Sequence, residues 1–230
     1  MNNNKEKILD SLAVFAEGGA IEWMQKKTEP LVKLMSYYKC AMMEIETKLK
    51  VLNEEYSLEF DHNPIRGIKT RLKTFQSIKD KLERKELPFS AESIEENLND
   101  VAGIRVICSF PEDVYTLAEA LLKQDDVSLI RMKDYIKNPK PNGYRSLHII
   151  VAIPIFLAHE KKTMKVEIQL RTIAMDFWAT LEHQLRYKKD AEFTEEDANE
   201  LYECAQLSAA LDLRMEAVKK KVMPENKPKK

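Results

Sequence analysis

The chain has only three cysteines, Cys40, Cys108 and Cys204, odd in number and widely spaced. That excludes a disulfide framework and any cysteine-based metal cluster, and it fits reduced, mostly buried thiols in a cytoplasmic protein. No 18 apolar residues run together, so no transmembrane helix is expected. The opening MNNNKEKILD lacks the apolar core of a secretory signal. Charge of one sign is missing too: 37 Lys and Arg against 38 Asp and Glu leave a formal net charge of −1. Without a long-range field, a general nucleic-acid coat or a membrane-surface role is disfavoured. There is no GxxxxGK[ST] loop, which excludes a P-loop protein, and no internal repeat.

What is present suits a globular protein rich in solvated helices, 44% hydrophobic and 33% charged over 230 residues. Residues 5–17 read as a helix stopped by Gly18–Gly19, and a second helix is expected to start near Pro30. Leu31, Met35, Tyr38, Met42, Ile45, Leu49, Leu52 and Tyr56 then recur at alternating spacings of four and three, a heptad seam that needs another helix against it. A candidate partner within the same subunit is 194–222, where Leu201, Ala205, Ser208, Leu211, Met215, Val218 and Val222 share a face. The tail PENKPKK is expected to fray. The middle reads as strands at 67–73, 101–108, 127–132, 146–154 and 164–170, interleaved with helices at 77–86, 90–97, 112–123 and 173–188. This implies a mixed α/β (α+β) fold: a central sheet of about five strands covered by helices, with long helices at each end.

Four stretches concentrate chemistry. Between Arg66 and Lys85, the basic residues Arg66, Lys69, Arg71, Lys73, Lys79, Lys81, Arg84 and Lys85 face only Asp80 and Glu83. As a strand, 67–73 puts Lys69, Arg71 and Lys73 on one face, with Ser77 capping a helix behind it; a continuous helix would scatter the same charges. Such cations suit a polyphosphate, though a solvated basic face is the ordinary alternative. In DVAGIRVIC (100–108), Arg105 interrupts an apolar strand and needs an anionic or stacking partner, while Asp100 could cap a turn or hold a metal. In KPNGYRSLH (140–148), a turn at Asn142–Gly143 delivers Tyr144 and Arg145 together, able to stack a base and pair a phosphate; a lone histidine such as His148 is more often structural. In KVEIQLR (165–171), Val166, Ile168 and Leu170 alternate with Glu167, Gln169 and Arg171. If Asp100 and Glu167 converge, two carboxylates make a plausible Mg²⁺ site.

TRLKTFQSIKDKLERK, NDVAGIRVICSF, KPNGYRSLH and VEIQLRTIAMDFWATLEH, in that order, resemble the motifs of the RelA/SpoT synthetase family, in particular its small single-domain members. The resemblance covers most of residues 60–190, between a helical extension at 1–59 and a C-terminal helix and tail at 191–230. It implies a nucleotidyltransferase-like fold and a GTP pyrophosphokinase activity that moves pyrophosphate from ATP to GDP or GTP, giving (p)ppGpp, the stringent-response alarmone. By the same resemblance Arg71 and Arg105 would sandwich adenine, and Lys73, Lys81 and Arg84 would bind ATP phosphates. Asp100 and Glu167 would hold Mg²⁺, Glu167 also taking the ribose proton. Tyr144 would stack on guanine, with Arg145 and His148 near the acceptor nucleotide and Gln169 in support. It further implies a homotetramer joined through terminal helices, with no membrane or specific nucleic-acid partner. Trp178, Phe177 and Leu181 are expected in the core. No His–Asp hydrolase domain is evident (Asp61–His62 is in the opposite order), nor a C-terminal regulatory region, so synthesis without hydrolysis is expected.

Overall fold

The computed structural model describes residues 3–59, 63–186 and 193–223, with side chains over 29–58, 63–186 and 193–223; the PENKPKK tail and Asp61–His62 lie outside the described residues. The element order is α1 (Asn3–Glu59), β1 (Ile65–Leu72), α2 (Phe75–Glu83), α3 (Ala91–Asn97), β2 (Ala102–Cys108), α4 (Pro111–Leu122), β3 (Ser128–Asp134), β4 (Leu147–Phe156), β5 (Lys161–Thr172), α5 (Ile173–Arg186) and α6 (Glu195–Val222). By contact the chain divides into two units, 1–37 with 76–98, and 38–75 with 99–230. In the first unit, α3 is capped by Ser90, whose hydroxyl accepts from Ser93 N at 3.2 Å, and Leu34, Tyr37, Ile78, Leu82, Ile94 and Leu98 are buried.

The second unit holds a mixed five-stranded sheet in the order β1-β2-β5-β4-β3, with β2 and β5 parallel and the other pairs antiparallel. Strict alternation along β4 and β5 buries Ile149, Val151, Ile153, Val166, Ile168 and Leu170 on one face. The opposite face carries the polar residues of the same strands. Among the described residues no helix is long and apolar enough to cross a membrane.

Several local expectations are corrected. α1 runs through Gly18, Gly19 and Pro30 without a break; glycine costs about 1 kcal/mol and proline about 3 in a helix interior, which discourages a helix without forbidding it. Its buried stripe is Leu34, Tyr38, Ala41, Ile45, Leu49 and Leu52, not the full heptad seam. A straight helix repeats every 3.6 residues, so counting back from Ile45 the inward face drifts off Met42, Met35 and Leu31. Ser77 lies inside α2, not at its start.

The expected pairing of this stripe with α6 is also corrected: α6 packs on α5 and α4. Trp178 Nε1 donates to Leu201 O at 2.7 Å, Ser208 Oγ to Ala174 O at 3.0 Å and Thr172 Oγ1 to Asp212 Oδ2 at 2.6 Å. Lys219 pairs with the buried Asp113 at 2.9 Å. Hence Leu211, Met215, Val218 and Val222 face outward. Trp178 is buried as expected, but Phe177 and Leu181 are exposed, since α5 turns those positions away from the sheet. Of the cysteines only Cys108 is buried; Cys40 is half-buried and Cys204 exposed, all three free.

Candidate active site

Residues 67–72 belong to β1, with Lys73 just beyond its end, and Lys69 and Arg71 alternate onto its open face, as the extended reading requires. Strand register then sets the site. Lys69 stands opposite Arg105, Arg105 beside Gln169, Gln169 opposite His148, and His148 opposite Lys133, one polar row across all five strands. The next row runs Arg71, Gly103, Glu167, Ile150 and Arg131. Gly103 has no side chain to fill the gap between Arg71 and Glu167. The result is a cleft of about 280 Å³ lined by Lys69, Arg71, Lys73, Asp100, Arg105, Glu167 and Gln169 among others. Segments distant in sequence thus converge because the sheet aligns them.

Lys73 Nζ donates to Asp100 Oδ2 at 2.7 Å, tying the end of β1 to the entry of β2. Glu167 accepts from Gln169 Nε2 at 3.1 Å and lies 3.6 Å from His148 Nδ1. Burial pushes the Glu167 carboxyl up, as does the Asp100 charge, but His148 and the Gln169 amide outweigh them and hold it below the usual glutamate range. Glu167 is therefore ionised at neutral pH. Arg105, 35% exposed at its side chain, opens onto the cleft and still pairs with Asp176 at 3.3 Å, so its salt bridge and its cleft position coexist. Burial and the neighbouring Arg171 guanidinium push Arg105 down from the usual arginine range.

At the His148 end of the polar row, the KPNGYR turn closes through Gly143 N to Lys140 O at 2.8 Å. Gly143 has φ +85°, and a Cβ there would stand 2.5 Å from Ala205 Cβ of α6. Tyr144 follows. Its hydroxyl meets His148 Nε2 at 2.8 Å and accepts from Arg171 Nη2 at 2.7 Å; Tyr135 packs edge-on against both rings, and Lys140 Nζ lies 4.6 Å from the Tyr144 ring centre.

Most of the expected residues are brought together: Arg71, Lys73, Asp100, Arg105, Glu167 and Gln169 line the cleft, with His148 and Tyr144 joined to it through hydrogen bonds. Arg145 is not. It turns to the other side, lining cavities with Met175 and Ala209 and lowering the Asp212 carboxyl, which burial raises. Lys81 and Arg84 belong to the first unit, in the last turn of α2 and just beyond it. Sequence reasoning passed over Tyr135 and Asp176, and it placed Arg171 on the polar face of its strand without a role in the site. Asp176 pairs with Lys69, Arg105 and Arg171; the one available signal was a carboxylate five residues beyond the alternating strand that ends in Arg171.

A basic cleft with two carboxylates suits a polyphosphate bound with a divalent cation, and an ionised carboxylate beside an aromatic-lined turn suits proton removal from a second nucleotide. Known proteins resemble the chain over these same segments. A family model described as a region found in RelA / SpoT proteins matches residues 70–192, more than half of the chain. The GTP pyrophosphokinase YwaC of Bacillus subtilis (strain 168) is 43% identical over 185 residues, 80% of this chain and 88% of that protein. Among solved structures, the small alarmone synthetase 2 from Bacillus subtilis superposes with a TM-score of 0.74 at 42% identity, covering 81% of this chain and 97% of that one. The small alarmone synthetase 1 from Bacillus subtilis, bound to its product pppGpp, gives 0.74 at 36% identity over 81% of this chain and 94% of that one. With these matches over these segments, the chain belongs to the RelA/SpoT family.

Proposed function

We propose that the chain is a (p)ppGpp synthetase, an ATP:GTP 3′-pyrophosphotransferase that moves the β,γ-pyrophosphate of ATP to the 3′-hydroxyl of GDP or GTP and releases AMP. The observation that carries this reading is Glu167, a cleft carboxylate kept ionised by His148 and Gln169 in the company of Arg71, Lys73, Asp100 and Arg105. Its relatives support it: one is a GTP pyrophosphokinase, and one solved neighbour holds pppGpp.

Arg71 and Arg105 offer guanidinium planes for the adenine, and Lys73 offers charge to the ATP phosphates. Tyr144 offers a face for the guanine beside His148, with Gln169 holding Glu167 in place. Arg145, turned away from the cleft toward Met175 and Ala209, has no part in this reading. Glu167 takes the proton from the 3′-hydroxyl; the 3′-oxygen bonds to the β-phosphorus as the bond from that phosphorus to the AMP oxygen breaks. Cations beside the phosphates offset the developing charge.

Among the described residues no group of three His, Cys, Asp or Glu could hold a metal. Asp100 and Glu167 line one cleft and feel each other's charge. Two hard oxygen donors fit Mg²⁺, which binds through one or two carboxylates and takes its other ligands from water and phosphate. When bound it supplies charge neutralisation at the transferring group.

The proposal includes a homotetramer joined through the terminal helices, supported by the outward apolar row on α6, and a place in the cytoplasm, where both nucleotides are abundant. Product hydrolysis is not part of it. Incubating the protein with Mg²⁺, β- or γ-labelled ATP and GDP or GTP, then separating products, is the test. Label on the guanine nucleotide with AMP in equal amount is expected. Free pyrophosphate with a transferred nucleoside monophosphate, or no transfer, overturns it.

A further inference from the structure

We infer that Asp176 is a positioning residue through which the donor-base and acceptor-base halves of the cleft share one carboxylate. The inference rests on the synthetase reading above and extends it to a residue that lines neither half.

β5 ends at Thr172 and α5 begins at once, so the first turn of α5 swings Asp176 back toward the end of the sheet. There Oδ1 is shared between Arg105 Nη1 at 3.3 Å and Arg171 Nη1 at 3.2 Å, while Oδ2 faces Lys69 Nζ at 3.3 Å. Arg171 is only 4% exposed. A buried guanidinium without a counter-ion is strongly unfavourable, and Asp176 is the acid paired with it. Arg171 then spends its other terminal nitrogen on the site: Nη2 donates to the Tyr144 hydroxyl at 2.7 Å and to Gln169 Oε1 at 2.9 Å. Gln169 in turn donates to Glu167.

Two branches therefore leave one carboxylate. The first holds Arg105, the proposed adenine-side cation. The second runs through Arg171 to Tyr144 on the guanine side and through Gln169 to the base. A salt bridge serving stability alone would need only the Arg171–Asp176 pair. Here the Nη2 donors end on Tyr144 and Gln169, and the cations Lys69, Arg105 and Arg171 are kept from repelling one another by a single acid. Removing that charge disturbs both halves at once, which no residue lining only one half can do.

Initial rates with ATP and with GDP varied in turn, for wild type, Asp176→Asn, Arg171→Lys, Arg105→Ala and Tyr144→Ala, test this, alongside calorimetric binding of an unreactive ATP analogue and of GDP. Asp176→Asn is expected to raise both KM values by about tenfold each, the size of one charge-assisted hydrogen bond. Arg105→Ala should move chiefly the ATP value and Tyr144→Ala chiefly the acceptor value. Arg171→Lys, which keeps the charge but not the fork, should raise the acceptor KM and spare that for ATP; it stands in if Asp176→Asn does not fold. Asp176→Glu, restoring the charge, should recover part of both losses. Unmoved KM values in Asp176→Asn, with kcat lowered only in proportion to the folded fraction, or a change confined to one substrate, overturn the inference. If wild type makes no product, the synthetase reading falls, and calorimetry decides Asp176: weakened binding of both ligands sustains it, and unchanged binding of either rejects it.

Discussion

The Tyr144 hydroxyl sits between Arg171 Nη2 at 2.7 Å and His148 Nε2 at 2.8 Å. Arg171 can only donate, so the hydroxyl accepts there. The ionised Glu167 facing Nδ1 can only accept, so a neutral His148 keeps its proton on Nδ1 and accepts from the Tyr144 hydroxyl at Nε2. Nδ1 lies 3.6 Å from Glu167 Oε1. A direction of hydrogen bonding is thus handed from a buried arginine to the proposed base.

A pH dependence follows. Glu167 is held below the ordinary glutamate range, so its ionised form persists at neutral pH and is lost only as pH falls through that lowered value. In His148→Ala, burial and Asp100 still raise the carboxyl pKa, while the lowering supplied by His148 is lost. The acid limb of the kcat/KM profile should move to higher pH. A limb that stays put or moves down would show that His148 does not set the charge of Glu167.

Glu167→Gln keeps the size and the hydrogen-bonding reach of the side chain but cannot accept a proton. Loss of a general base costs about 10²–10⁴-fold in rate, and kcat should fall by that order under saturating nucleotides and Mg²⁺. Transfer at the wild-type rate would remove Glu167 from the chemistry and the main support of the proposed mechanism.

How much of this was legible beforehand differs by kind of residue. The alternation in 165–171 displayed Glu167 and Gln169 on one face, and the β5 register with β2 and β4 placed them beside Arg105 and His148. Alternation is local, so a single strand reveals it. Arg71 depended on choosing strand over helix for 67–73, a choice that pairing with β2 makes. Asp176 was illegible because its partners Lys69 and Arg105 lie 107 and 71 positions away; no spacing rule connects them. Arg145 misled for a related reason. Tyr144 and Arg145 stand in the loop just before β4, where their side chains part: Tyr144 bonds to His148 and Arg171, while Arg145 lines cavities with Met175 and Ala209. The partner of α6 was misjudged because the row read from the sequence splits: Ala205 and Ser208 turn inward beside Asp212, with Ser208 and Asp212 bonding to Ala174 and Thr172, while Leu211, Met215, Val218 and Val222 face out.

Gly143 carries two constraints at once. Its φ of +85° is a region where an L-residue pays about 1–2 kcal/mol, and its missing Cβ leaves the room that α6 occupies, with Ala205 Cβ 2.5 Å from that position. Overpacking of this kind typically adds about 1–3 kcal/mol. Gly143→Ala should therefore lower stability by roughly 2–5 kcal/mol, read from denaturant midpoints, and should weaken acceptor use by displacing Tyr144. Combining it with Ala205→Gly should recover the packing part while leaving the backbone part. No loss of stability in Gly143→Ala would mean that α6 does not press on the turn.

The outward row on α6 gives the last prediction. Leu207 is 70% exposed and Phe177 of α5 66%, and with Ile173, Leu211 and Met215 they line a shallow groove of about 790 Å³. Val218 and Val222 continue the row. Apolar patches of this extent are uncommon on monomers. If terminal helices join copies of the chain, burying this row supplies the driving force, and a charge placed in it would be desolvated without a partner. Leu211→Glu with Val218→Glu leaves the single chain untouched, because both positions are solvent-exposed there. Light scattering should show the wild type at a multiple of one chain's mass and the double variant at a lower one, with circular dichroism unchanged. A wild type measured as one chain, or a double variant of wild-type mass, would take this face out of the assembly.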